Sequence, residues 1–186
     1  MKDDLMLGDT PKALNRRRRL KAVEARGRLW KHSTLADIDG LVSRDEIAAM
    51  FCFTLVRNPW DRMVSYYHWL REQSFDHVAV HKAKALEFSD FLADEEIAAS
   101  IRAMPYGAYM TDAGGQERAA LYIRLEHFEA DAAPLWEHLG FRLDLPHVNA
   151  SARHGDYRRY YTADDSERLA KIAKADIARF GYKLER

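Results

Sequence analysis

One stretch of the sequence, residues 50–71, constrains the fold more than any other, because an apolar run there passes directly into a helical pattern. The run MFCFTLV at 50–56 is rich in aromatic and β-branched residues, which is typical of a strand buried on both faces in a parallel sheet. In the segment that follows, Asn58 can cap a helix and Pro59 suits its first turn. Apolar residues then recur at the spacing of one buried helix face, at Trp60, Met63, Val64 and Tyr67. We therefore predict a strand that ends next to Arg57 and leads at once into a helix.

Strand and helix patterns alternate along the rest of the chain. The sequence predicts a short helix over 33–42 and, over 75–115, several helices joined by loops, of which SDFLADEEIAASI is the clearest. It then predicts a second buried strand over 121–125 and a helix over 130–139 that ends at Gly140. Such alternation predicts an α/β fold with a mainly parallel sheet and flanking helices, in a single domain over residues 1–186.

The C-terminal part of the chain carries a further helix signal. Thr162 and Asp165 have the spacing of a capping box ahead of the last helix. The residues that this helix is expected to bury are Leu169, Ile172, Ala173 and Ile177.

Charge and cysteine content exclude several classes of protein. Lys plus Arg and Asp plus Glu both number 29, so the net charge is zero and argues against a surface built throughout for nucleic acid. One cysteine, Cys52, excludes an internal disulfide framework and a multi-cysteine zinc site. No apolar run approaches the roughly 20 residues needed to span a bilayer, and the start MKDDLMLGDT lacks the pattern of a signal peptide. A cytoplasmic protein without transmembrane segments is the expectation.

Residues 11–31 are strongly basic, with nine Lys or Arg against the single acid Glu24. One interpretation is a solvated basic helix that touches the core through Leu14, Leu20 and Val23. The other is an anion-facing wall, since clustered arginines favour phosphate or sulfate groups. The run Arg16–Arg19 also leaves open a non-catalytic module that binds nucleotides or polyanions.

The strand-to-helix junction is itself a candidate anion site. A helix N-terminus at the carboxyl end of a parallel strand attracts anions, and Arg57 there can contact a phosphate in bidentate fashion. Ser65, about two turns into the helix and off its apolar face, can donate a second hydrogen bond. The alternative is a salt bridge between Arg57 and Asp61.

The segment FTLVRNPWDRMVSYYHWL resembles the 3'-phosphate-binding segment of sulfotransferases that use 3'-phosphoadenosine-5'-phosphosulfate (PAPS). It is most similar to the Golgi carbohydrate and uronyl 2-O-sulfotransferase-like branch and its bacterial relatives. The resemblance continues through YIRLEHFEADAAPLWEHLGF and the C-terminal LPHVNASARHGDYRRYYTADDSERLAKIAKADIARFGYKL, so that it covers residues 31–184 after a basic helical lead-in at 1–30.

The resemblance implies a fold, a reaction and a set of site residues. The fold is a P-loop nucleotide-kinase-like parallel sheet, and the reaction is sulfuryl transfer from PAPS to a hydroxyl or amine of a carbohydrate or small-molecule acceptor, with no metal. Arg57 and Ser65 match the residues that hold the 3'-phosphate, and His32 occupies the place of the base that deprotonates the acceptor. Arg153 lies in a basic loop, SARHGDYRRYY, similar to the one that covers the nucleotide, and the resemblance implies that it contacts a phosphate or the ribose.

One part of the family pattern is missing from the sequence. The family holds the 5'-phosphosulfate in a Pro-Lys-Thr-Gly-Gly-Thr-like loop after a first strand, whereas GDTPKA at residues 8–13 has a different residue order and precedes a polybasic segment. We therefore expect that the first strand and the phosphosulfate loop are absent from this chain, and that it has little or no transferase activity by itself. A kinase on the same fold would need GxxxxGK[ST], which is also absent.

The remaining histidines give a weaker signal. His77 and His81 could face one way on a helix, but HVAVH lacks the glutamate of a zincin motif, so we predict no metal site there.

Overall fold

The computed structural model describes residues 8–30, 32–144 and 153–184. It is a mixed α/β structure with a small parallel sheet of two paired strands, β1 (Cys52–Val56) and β2 (Ala119–Arg124). The predicted α/β class and the parallel pairing are therefore confirmed, and both strands lie within two residues of their predicted positions. No helix of the described residues is long and apolar enough to cross a membrane.

Most of the described chain is helical. The helices, in chain order, are α1 (Pro11–Leu20), α2 (Arg44–Ala49), α3 (Pro59–Arg71), α4 (Val78–Ala85), α5 (Phe88–Ala93), α6 (Glu95–Ala103), α7 (Tyr106–Tyr109), α8 (Phe128–Asp131), α9 (Ala133–Leu139), α10 (Ala163–Ile172) and α11 (Lys174–Phe180). Short 3-10 turns occur at Leu125–His127 and Tyr157–Tyr160.

The chain divides into two compact units. The first comprises the residues up to Thr54 together with Tyr106–Tyr122, and the second comprises Leu55–Pro105 and the residues from Ile123 onward. A hydrophobic core lies in the second unit, where the buried face of α3 packs with side chains of α4, α5 and α10. Phe91, Leu70, Leu92 and Leu169 are the largest of its fully buried residues.

Helix α3 forms as its sequence predicts. The Asn58 side chain caps it by accepting a hydrogen bond of 3.0 Å from the Trp60 N–H, and Pro59 occupies the first turn. All four residues of the predicted apolar face are buried: Trp60, Met63, Val64 and Tyr67. Asp61 and Ser65 lie outside this buried face and are only partly buried.

Strand β1 is not buried on both faces, contrary to the sequence-based prediction. Phe53 and Leu55 are 41% and 36% exposed, whereas Val56 is fully buried. Exposed residues alternate with more buried ones along β1, so one face of the strand, the one that carries Phe53 and Leu55, is open.

The predicted helix over residues 33–42 is wrong, because this segment forms a series of turns. Thr34 and Asp37 exchange hydrogen bonds of 2.8–3.2 Å that close one turn. The Asp37 and Asp39 carbonyls accept hydrogen bonds from Gly27 and Arg26 instead of serving a helix. Gly40 has a positive φ of 94°, and a Cβ there would lie 2.3 Å from the Glu24 carbonyl oxygen.

The basic segment is helical only in its first half. Helix α1 ends at Leu20, and Leu14 is 47% exposed, so its predicted contact with the core is wrong. Ala13 is the buried residue of α1. Thr10 caps the helix and Pro11 begins it, so GDTPKA in this structure is a helix start.

Three predicted helices are each interrupted. SDFLADEEIAASI breaks at Asp94, whose extended backbone ends α5 while its side chain caps α6. The predicted 130–139 helix begins at Phe128 and is divided at Ala132, but it ends at Gly140 in the left-handed conformation as expected. The last helix has its predicted Thr162–Asp165 capping box and is divided at Ala173 into α10 and α11.

Candidate anion-binding site

Two arginines meet one carboxylate at the N-terminal end of α3. Arg57 follows β1 directly, and its Nε and Nη2 lie 2.7 and 2.6 Å from Asp61 Oδ2. Arg153 Nη2 lies 2.7 Å from the other oxygen, Oδ1. Asp61 is one turn beyond Arg57 on α3, so the strand-to-helix junction fixes this pair, and Arg153 joins it from the C-terminal part of the chain. Asp61 thus balances the charge of one guanidinium group, and the Glu126 carboxylate lies at the same end of α3.

Arg153 has a donor without a partner. Its side chain is 13% exposed, and Nη1 is buried with no hydrogen-bond acceptor among the described residues. A buried charged donor without an acceptor is costly, and such a group needs an explanation. An anion placed beside Arg153 would supply the missing acceptor.

The backbone at the start of α3 contributes less than a free helix N-terminus would. The Asn58 N–H donates to Glu126 Oε1 at 2.5 Å, Pro59 has no N–H, and the Trp60 N–H is bound by the Asn58 side chain. The predicted attraction of an anion by this helix terminus is therefore replaced in part by the Glu126 carboxylate. The two guanidinium groups are therefore the charged donors that this site could offer to an anion.

Tyrosines support the loop that carries Arg153. Tyr157 accepts a hydrogen bond of 3.2 Å from Asn58 Nδ2, and Tyr161 donates one of 2.8 Å to the Trp60 carbonyl. Burial, and next the negative charge of Asp61, raise the pKa of the Tyr161 hydroxyl far above its usual value. Tyr161 therefore stays protonated and continues to donate, which holds residues 157–161 against the first turn of α3.

Ser65 lies on the same helix one turn beyond Asp61 and is half-buried. Its hydroxyl makes no side-chain hydrogen bond to another described residue, and the structure shows no contact that joins it to Arg57. Its assignment to the 3'-phosphate stays a prediction.

His32 belongs to the first unit, whereas the residues just described belong to the second. It is exposed, its ring meets that of Trp30 edge-on at 4.7 Å, and it lines an open cleft of about 460 Å³. Its predicted role as a base stays a prediction.

The remaining histidines of interest have structural partners. His77 Nδ1 accepts the Ala79 N–H at 3.1 Å and so caps α4, while His81 Nε2 lies 2.9 Å from Asp76. Within residues 8–30, 32–144 and 153–184, no three His, Cys, Asp or Glu residues are grouped in a way that could hold a metal ion.

Sequence reasoning anticipated the Arg57–Asp61 contact but only as the alternative to phosphate binding. It missed that Asp61 also binds Arg153, and it missed Glu126 at the start of α3. The spacing of Arg57 and Asp61 was the signal for the first pair, whereas no local pattern relates Asp61 to Arg153 or Asn58 to Glu126.

Comparison with known proteins adds no assignment, because no family model, no curated protein and no solved structure matches this chain.

Proposed function

We propose that this chain is a PAPS-dependent sulfotransferase-type protein, and that Arg57, Ser65 and Arg153 bind the 3'-phosphate of PAPS or of its product, adenosine 3',5'-bisphosphate. The strand–Arg57–helix arrangement supports this proposal because it is the element order that the family uses for this phosphate. In this proposal β1 and β2 belong to a P-loop nucleotide-kinase-like sheet.

The observation that carries the proposal is the convergence of Arg57 and Arg153 on Asp61. The resemblance selected these two arginines from separate segments of the sequence, and in the structure both bind the carboxylate of Asp61. Guanidinium groups form strong charge-assisted bonds to phosphate oxygens. Nη1 of Arg153, which has no hydrogen-bond acceptor among the described residues, offers one such donor.

The proposed reaction is an in-line transfer between two oxygens. The acceptor hydroxyl loses its proton to the His32 ring, and its oxygen forms a bond to sulfur. At the same time the bond between sulfur and the oxygen of the 5'-phosphate breaks, and adenosine 3',5'-bisphosphate leaves with that oxygen. The acceptor is a carbohydrate or a small molecule, the compartment is the cytoplasm, and the scheme requires no metal.

The test is calorimetric titration with adenosine 3',5'-bisphosphate, with adenosine 5'-monophosphate as the matched ligand that lacks the 3'-phosphate. We expect the bisphosphate to bind at least tenfold more tightly, and Arg57→Ala and Arg153→Ala each to remove most of that preference. Arg158→Ala serves as the control, because Arg158 is exposed and pairs with Asp156. Equal affinity for the two nucleotides, or equal losses in all three variants, would contradict the proposal.

A second candidate function rests on α1. Arg16, Arg18 and Arg19 are exposed there, and none of them makes an ion pair with a described residue. Such a surface suits a non-catalytic module that binds polyanions. Oligonucleotide binding that weakens steeply with salt, and that is lost when these three arginines are replaced by Gln, would favour this alternative.

A further inference from the structure

An open cleft beside His32 could hold the acceptor of the transfer reaction, an interpretation that rests on the proposed function. The cleft lies within the first unit and has a volume of about 460 Å³, within the range of ligand sites. The residues that line it include His32, Phe51, Phe53, Thr54, Tyr109 and Met110.

The lining is free of formal charge apart from any proton on His32. No Lys, Arg, Asp or Glu of the described chain lines the cleft. An anionic acceptor would therefore find no cation to offset the loss of its hydration, and the cleft suits an uncharged molecule.

Few polar groups of the lining remain to bind an acceptor with many hydroxyls. The Ser33 hydroxyl lies 2.9 Å from both the Arg28 and the Trp30 carbonyl oxygens and donates its one proton between them. The Thr34 hydroxyl donates to Asp37 at 2.9 Å. The Tyr109 hydroxyl makes no hydrogen bond to another described residue, so it can orient one hydroxyl of an acceptor. A sugar would leave several of its hydroxyls without partners, which is costly in a partly apolar site.

The walls of the cleft are aromatic and aliphatic. Phe51 directly precedes β1 and Phe53 lies within it. The Leu35 N–H donates a hydrogen bond of 3.1 Å to the Tyr109 carbonyl, which links two other parts of the lining. Flat aromatic rings pack well against such side chains.

We propose that this cleft binds a neutral aromatic alcohol of the phenol class, with its hydroxyl directed to His32. Phenols have a pKa of about 10, as tyrosine does, so a histidine base deprotonates them more readily than it does a sugar hydroxyl. In the transfer step the phenol proton passes to His32, the phenol oxygen bonds to sulfur, and the 5'-phosphate oxygen takes the electrons of the broken bond to sulfur.

The experiment is equilibrium dialysis of 2-naphthol against the full chain, with 2-naphthoate as the anionic analogue and methyl β-glucoside as the sugar. We expect 2-naphthol to saturate one site and to bind at least tenfold more tightly than either comparator. Phe53→Ala should weaken the binding of 2-naphthol at least fivefold. Phe53→Leu keeps most of the apolar volume and serves as the second variant if Phe53→Ala does not fold, and it should weaken binding at least twofold. The control is Phe141→Ala, since Phe141 is also exposed and does not line the cleft.

The same samples are titrated with adenosine 3',5'-bisphosphate, so that the two proposals fail separately. Bisphosphate binding without 2-naphthol binding overturns the phenol-class acceptor and leaves the proposed function standing. Binding of 2-naphthol without bisphosphate binding overturns the proposed function, and with it the role of the cleft as an acceptor site. Tighter binding of 2-naphthoate or of the glucoside, or no effect of the Phe53 variants, also overturns the phenol assignment.

Discussion

Arg153 donates a hydrogen bond of 2.7 Å to Asp61, a residue 92 positions earlier in the chain. Because Asp61 also binds Arg57, one carboxylate fixes two guanidinium groups that come from distant segments. Neither arginine then needs to be ordered when an anion arrives, and a smaller loss of side-chain entropy favours binding.

Asp61 is therefore expected to strengthen anion binding despite its own negative charge. Asp61→Ala should weaken the binding of adenosine 3',5'-bisphosphate about tenfold, because both arginines lose the carboxylate that holds them. Asp61→Asn should weaken it less, because the amide oxygen can still accept a hydrogen bond from an arginine. Calorimetry measures both affinities. The control is Asp164→Asn, which removes an exposed acid from α10. A gain in affinity for Asp61→Ala would show that the carboxylate competes with the anion instead of positioning its ligands.

The arginine and the serine of the candidate site should contribute unequally. Hydrogen bonds to charged groups contribute about 1.5–3 kcal/mol and neutral ones about 0.5–1.5 kcal/mol. Arg57→Ala should accordingly weaken bisphosphate binding more than Ser65→Ala does. Titration of both variants measures the order, with Arg62→Ala as the control on the same helix, where Arg62 lies 3.9 Å from Asp176. Equal and small losses for Arg57 and Ser65 would remove both from the site.

His32 should affect turnover and not nucleotide binding, since a base acts on the acceptor. Losing general-base assistance costs on the order of 10²–10⁴ in rate, so His32→Ala should lower sulfuryl transfer by that factor and leave bisphosphate affinity within about twofold. Because this chain by itself is expected to transfer little or no sulfuryl group, both measurements are made on a version extended at its N-terminus by a first strand and a phosphosulfate loop, under conditions where chemistry limits the rate. His81→Ala is the control, because His81 is exposed and pairs with Asp76. Near wild-type turnover in His32→Ala would remove His32 from the mechanism.

The parts of the fold that the sequence predicts well are those whose signals are local. Helix α3 has its cap, its proline and its apolar spacing within one continuous stretch, and each is found in the structure. Residues 33–42 have similar capping residues but form turns, because their backbone groups bond to Arg26, Gly27 and Tyr109. Partners that are distant in the sequence decided that segment, and no periodic pattern reports them.

The candidate site shows the same division. The spacing of Arg57 and Asp61 on one helix face makes their contact predictable. The position of Arg153 depends on hydrogen bonds of Tyr157 and Tyr161 to the first turn of α3, which the sequence does not indicate. Only the resemblance to a family selected Arg153, and the geometry that joins it to Asp61 is visible only in three dimensions.

The capping box of α10 should contribute measurably to stability. Thr162 Oγ1 accepts the Asp165 N–H at 3.1 Å, while Asp165 Oδ2 accepts the Thr162 N–H at 3.1 Å and the Ser89 hydroxyl at 2.8 Å. Thr162→Ala should lower the free energy of unfolding by about 1 kcal/mol, and Thr162→Ser, which keeps the hydroxyl, by much less. Urea denaturation of the three proteins measures both values. Equal losses of unfolding free energy for the two variants would mean that the Thr162 hydroxyl does not provide the stabilisation.

Stability should fall in acid partly because of Asp112 in the first unit. This residue is 3% exposed, and its carboxylate lies 2.6 Å from the Arg118 guanidinium. The hydrogen bond from Arg118 is the main reason that the pKa of Asp112 is below its usual value of 3.8. The Gln116 and Gly114 N–H groups lower the pKa further, while burial opposes the shift. Because the folded pKa lies below the unfolded one, the stabilisation is complete above the unfolded value and is lost as the pH falls through the folded value.

Asp112→Asn should therefore destabilise the protein most near pH 7, and the difference from the unsubstituted protein should shrink as the pH approaches 3. Urea denaturation at a series of pH values measures this difference, and Asp45→Asn, at an exposed acid of α2, controls for the loss of one negative charge. A difference that stays constant or grows between pH 7 and pH 3 would show that the Asp112–Arg118 pair does not stabilise the fold through its charge.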